Sequence, residues 1–210
     1  MARTDAVALP PDTPAALRLA AEAVGLELGR VTSHFEALPP GHPHAAYADF
    51  ARLYRSVTCR WLAHLAQQPE KLFPLRVIPP FFALYREHVL EALDRPIHRI
   101  APHWQRYHRL TRSLSPSSGP MRRLLALSFG AYAHTHFDIG VAMRVAEERA
   151  APYRHQHLFG RGASRAFGEA AQVTFNGNLV LRGTQPIWVP VLHHWRRSGY
   201  RRALRAEQLR

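Results

Sequence analysis

Residues 130–142 read GAYAHTHFDIGVA, and three ionisable side chains, His134, His136 and Asp138, stand inside an apolar stretch running from Leu124 to Val145. Burying such groups is costly unless they are paired, hydrogen-bonded or bound to a ligand. Residues three and four apart share a helix face. One stripe therefore carries Leu124, Leu127, Ala131, His134, Asp138, Ala142 and Val145. His134 and Asp138 are i,i+4 partners on it. His136 falls about 200° away on another face, and Tyr132 lies to one side.

Three chemistries fit that pair. Asp138 can accept a hydrogen bond and fix helix register, with no further role. It can set the tautomer of His134 so that His134 moves a proton on a substrate held between helices, with Tyr132 or an arginine polarising a carbonyl or carboxylate. Alternatively, His134 and Asp138 supply two metal ligands, with His88, His103 or His194 as the third and Glu87 and Glu91 as spare carboxylates. His88 is the metal candidate placed beside the pair. No HExxH or paired ExxH spacing is present, so no resident cofactor is expected. The glycines of GRGASRAFG (160–168) follow no strand and make no phosphate loop, and no GxSxG elbow occurs.

These residues need helices to hold them. The chain has 210 residues, 47% of them hydrophobic and 20% charged, which suits a single folded domain over 1–210. No strand-like alternation appears, whereas three- and four-residue apolar spacing recurs between Pro and Gly breaks. The fold expected is all-α, a bundle of about six to seven helices with a long central apolar helix.

The first block follows Thr13-Pro14, with Leu17, Ala20, Ala21, Val24 and Leu28 on one face. LPPGHPH (38–44) breaks it, and residues 1–40 read as an N-terminal helix and Pro-rich linker. The second block runs from about His44 to Gln67, with Phe50, Leu53, Tyr54, Val57, Trp61 and Leu65. Pro69, Pro74, Pro79 and Pro80 punctuate the next segment, so the third helix is expected from about Pro80 to Leu93. A shorter basic and aromatic helix covers 97–113, with a break at Pro102. The fifth and longest runs from about Pro120 to Arg149. A sixth is expected from about Ser164 to Leu181. A last one carries Ile187, Val191 and Trp195 into the Arg-rich tail at 196–210.

Charge is unevenly spread. Residues 1–100 are net +1 and residues 101–210 net +12, and every basic residue but Lys71 is arginine. A basic half of this kind suits an anionic partner, nucleic acid among them, or a solvated surface. No helix-turn-helix is visible. No charge-free run reaches the ~20 residues of a membrane span, the N-terminus lacks the order of a signal peptide, and the expected location is cytoplasmic. The single cysteine, Cys59, excludes an internal disulfide and is expected as a small buried apolar residue.

FARLYRSVT (50–58), PHWQRYHR (102–109), AYAHTHFDIGVAM (131–143) and the spacing of Arg182, Trp188 and Trp195 together resemble the DUF5995 family of bacterial helical proteins. The resemblance covers roughly residues 48–197. It aligns His134 and Asp138 with the family's N-A-H-I-N-x-D-L segment. Tyr132 and His136 stand where that segment has Asn. Phe50, Tyr54 and Thr58 align with an earlier segment and Trp104 with a Pro-Trp segment. The resemblance implies an all-α fold and no particular reaction.

The functional expectation is an enzyme of bacterial specialised metabolism, of cyclase, isomerase, lyase or hydrolase type. It would act by acid–base chemistry on a small, largely apolar or carboxylated molecule in an inter-helix cavity. His134, Asp138 and Tyr132 are the catalytic candidates. Tyr54, Trp61, His88, Trp104, His136 and Arg182 are the substrate-binding ones, with Tyr85 also available to line the cavity. The alternatives are an anion- or nucleic-acid-binding module and a non-catalytic carrier of a hydrophobic ligand. The spacing fixes no oligomeric state.

Overall fold

A computed structural model describes residues 13–67 and 72–148, together with Val191, His194, Trp195, Ser198, Gly199 and Arg201. No strand occurs among the described residues, and the chain folds as an all-α bundle. Its helices are α1 (Pro14–Glu36), α2 (Ala48–Ala66), α3 (Leu72–Tyr85), α4 (Pro102–Arg112), α5 (Pro120–Tyr132) and α6 (Ile139–Glu148). Two π-helical segments extend or join them: Arg86–Leu90 follows α3, and Ala133–Asp138 links α5 to α6. The described helices thus form five rods. The helix expected at about Ser164–Leu181 lies outside the described residues, as does Arg182.

α1 starts where its sequence says it should. The Thr13 side chain accepts from the Ala16 N–H at 3.3 Å, and Pro14 takes the first turn. Its buried face is Leu17, Ala21, Val24, Leu28, Thr32 and Phe35. α1 packs against both α2 and α3, and α3 packs along α6.

The third helix begins eight residues before the expected Pro80. Pro74 lies in its first turn, where no backbone N–H is needed. Pro79 and Pro80 lie inside it and each removes a helical donor, a cost of about 3 kcal/mol in an isolated helix. Burial offsets it: Phe73, Leu75, Val77, Ile78, Phe81, Phe82 and Tyr85 are all packed in the core. Tertiary packing thus overrides the helix-breaking signal.

Cys59 is exposed, contrary to the buried position expected. α2 turns Phe50, Leu53, Tyr54 and Thr58 inward, and Cys59 follows Thr58 onto the outer face. No described helix is long and apolar enough to cross a membrane.

Gly130 fixes how α5 meets its neighbours. A Cβ there would lie 2.9 Å from the Tyr107 ring of α4 and 3.2 Å from the Phe50 ring of α2. The missing side chain lets both rings close on α5, which brings α4 over the π-segment that follows.

Candidate functional site: a carboxylate ringed by histidines

Asp138 is the hub. Its side chain is 2% exposed, and both oxygens are engaged. His134 Nδ1 lies 3.0 Å from Oδ2, and Trp104 Nε1 donates to the same oxygen at 3.1 Å. His103 Nε2 lies 3.0 Å from Oδ1, and His88 Nε2 stands 3.9 Å from it. A carboxylate only accepts, so the imidazole nitrogens that bond it carry protons: His134 is Nδ1–H and His103 is Nε2–H.

Three elements deliver these groups. α4 contributes His103 and Trp104 from adjacent positions. The two π-segments contribute the rest: His88 comes from Arg86–Leu90, and His134 and Asp138 come from Ala133–Asp138. In both segments an i→i+5 bond closes the wider turn, Glu91 N–H to Arg86 O at 2.9 Å and Ile139 N–H to His134 O. Single π turns of this kind recur at functional sites.

The two sides of the carboxylate differ in surroundings. His134 is 3% exposed at the side chain, and its ring lies flat on Phe81, 3.6 Å between centroids and 9° between planes. Tyr54 meets it edge-on at 4.7 Å, and Phe50, Tyr85 and Trp104 complete an aromatic box. His134 Nε2 and the Tyr54 and Tyr85 hydroxyls are buried without hydrogen-bond partners. Burial lowers the pKa of His134, and the Asp138 bond opposes that only in part. Burial pushes Asp138 up, but the bonds from His103 and His134 outweigh it and hold the carboxyl below its ordinary range. Burial also drives the Tyr54 and Tyr85 phenols upward, so both stay protonated.

On the Oδ1 side His88 and His103 are 16% and 21% exposed, so this face reaches solvent. The His103 ring stacks on Phe137 at 4.7 Å. His88, His103 and Asp138 each offer one ligand atom, and the three atoms lie within 4.8 Å of one another. Two ligands about 2.1 Å from a common ion stand roughly 3.0–3.4 Å apart. The His103–Asp138 separation already fits, and His88, 3.9 Å from Oδ1, would have to move inward for all three to share an ion.

The expected site residues thus divide. His134, Asp138, His88, Trp104 and Tyr54 come together. Tyr132 and His136 form a separate stack on the other side of the π-segment, 4.8 Å between centroids, with Trp195 edge-on to Tyr132 and its carbonyl 3.3 Å from His136 Nδ1. Gly199 lies against the His136 carbonyl so closely that any Cβ would overlap it. Trp61 is partly buried and packs against the core. His194 is exposed. Of the candidate metal ligands, His88, His103 and Asp138 have ligand atoms that come together, while His134 bonds Asp138 from the other side.

His108 belongs to the site's support and carried no sequence signal beyond a basic helix. Its Nε2 lies 2.8 Å from the His88 carbonyl, and its Nδ1 lies 2.7 Å from the buried Tyr47 hydroxyl. Arg112, one turn further on, donates to the carbonyls of Ala92 and Arg95 at 2.9 and 2.8 Å. Together they bond carbonyls at the end of the α3 rod, where Ala92 O also accepts from the Arg95 N–H at 3.1 Å.

No protein-family model, no curated protein and no solved structure matches the chain.

Proposed function

We propose that this protein is a metal-dependent enzyme in which His88, His103 and Asp138 hold one divalent transition ion, zinc or ferrous iron. The observation that carries the reading is the convergence of two half-buried imidazoles on a buried carboxylate that is already oriented from behind by His134 and Trp104. Metal sites are typically built with such bracing, and the bracing partners tune the ligands. Two nitrogens and one oxygen suit zinc or non-haem iron; an ion entering would displace the His103 Nε2 proton to solvent, and three protein ligands would leave coordination positions for water and substrate.

The chemistry follows from the ion. An ion held by these residues would act as a Lewis acid and would lower the pKa of a bound water toward about 7. Asp138 stays ionised because its lone pairs accept bonds from every side. His134 keeps the carboxylate plane fixed through Nδ1–H. A general-base role for His134 would require substrate to reach Nε2 through the aromatic box, whereas the His88–His103 face opens outward. The substrate class this favours is a small molecule, hydrolysed or subjected to addition or elimination, with Phe137 beside His103 offering an apolar contact. The likeness to the DUF5995 family remains part of the proposal and adds no reaction to it. The anion-binding alternative rests on the net charge of +12 over residues 101–210, of which much lies outside the described residues.

The test is metal content and affinity. The chain stripped of metal should take up one Zn2+ per molecule in calorimetric titration. His103→Ala and His88→Ala should each weaken uptake by at least ~100-fold while the helical circular dichroism persists. A folded wild-type chain that takes up no Zn2+, Fe2+ or Co2+ sinks the reading.

A further inference from the structure

His88 is the most distant of the three ligands, and its position depends on the backbone of the π-segment Arg86–Leu90. One side chain grips that backbone from outside the rod: His108 Nε2 meets the His88 carbonyl at 2.8 Å. A carbonyl can only accept, so His108 carries its proton on Nε2. Nδ1 is then a bare acceptor in a site with no access to water, and it needs a donor. Tyr47 supplies one, its hydroxyl 2.7 Å away. Tyr47 and His108 are both 0% exposed.

We infer that Tyr47 and His108 are positioning residues for the metal centre, a two-step relay that sets His88 by fixing its main chain. The inference rests on the metal reading above. The relay runs in one sense only. Tyr47 O–H donates to His108 Nδ1, and His108 Nε2–H donates to His88 O. Removing the hydroxyl leaves Nδ1 a buried acceptor with no donor. The ring must then turn or shift to find one, which strains its Nε2–H bond to the His88 carbonyl and releases the π-segment. His88 would move with it, and its gap to Asp138 would widen rather than close.

Sequence position reinforces the assignment. Tyr47 sits in the 3-10 turn that opens α2, and its ring packs edge-on against Tyr107 and at 5.5 Å from His108. Its hydroxyl bonds His108, while its ring also meets Tyr107, which packs on Trp104, so the His108 variants are needed to separate the relay from packing.

The experiment uses the full chain loaded with Co2+, whose visible bands report ligand geometry. Tyr47→Phe should weaken Co2+ binding about 10-fold and alter the band pattern, and His108→Leu should weaken it about 10–100-fold, as for other groups one step removed from a metal. His108→Gln, which keeps an N–H near Nε2, should bind within about 3-fold of wild type with a wild-type spectrum. A role in packing alone would lower stability and leave the spectrum unchanged. If wild type binds Co2+ and folded Tyr47→Phe matches it in affinity and spectrum, this inference falls while the metal reading stands. If wild type binds no metal, both fall. Should His108→Leu fail to fold, Tyr47→Phe and His108→Gln decide the matter.

Discussion

The two oxygens of Asp138 face different worlds. Oδ2 receives His134 and Trp104 inside an aromatic box, with no route to water. Oδ1 receives His103 and stands 3.9 Å from His88, on a face that solvent reaches. The same carboxylate therefore ties the bundle together on one side and presents ligand atoms on the other. Burial separates stability from chemistry here: groups that cannot exchange partners hold the fold, and groups that can are free to bind.

Asp138→Ala attacks both sides at once and should have the largest effect. It strands three buried or half-buried donors, at about 3–5 kcal/mol, and abolishes metal uptake. Urea unfolding and zinc titration of the same sample would check it. Stability close to wild type would mean that the Oδ2 side does not hold the bundle.

Acid comes next. Burial lowers His108 to about 4, and it also lowers His134. The unfolded chain binds protons to these residues near pH 6.5, where the native state refuses them. The native advantage is full above pH 6.5 and is lost as pH falls toward 4. His108 alone accounts for about 3 kcal/mol at most. Unfolding midpoints across pH 4–7 would read the slope, and a flat profile would contradict the buried neutral histidines.

His134→Leu removes one Oδ2 partner and leaves the ligand set intact. It should cost about 2–3 kcal/mol and weaken zinc by about 10–100-fold without abolishing binding. His103→Ala is the converse. Its position on the solvent side predicts a smaller loss of stability than His134→Leu, with zinc affinity nearly gone. The pair of variants, each measured for both quantities, separates the two sides of the carboxylate. If both variants shift both quantities alike, the division fails.

Much of this was legible along the chain because it is local. Helical spacing exposes α1 and α2, and the i,i+4 rule pairs His134 with Asp138. The rest depends on contacts between distant segments. His103 reaches Asp138 across 35 positions and Tyr47 reaches His108 across 61, and no periodicity encodes such a meeting. The start of α3 was hidden because packing tolerates prolines that an isolated helix would reject. His88 and His103 stood among the third-ligand candidates with His194, and only the placement of α4 over the π-segment selects between them. Tyr132 and His136 share the segment with Asp138 yet stack on its far side, since two residues along a helix carry a side chain to another face.

X-ray absorption at the zinc edge of the loaded chain tests the central claim most directly. The account predicts two imidazole nitrogens and carboxylate or water oxygen at about 2.0–2.2 Å, with one imidazole lost in His103→Ala. A first shell without imidazole, or one unchanged in His103→Ala, would contradict it.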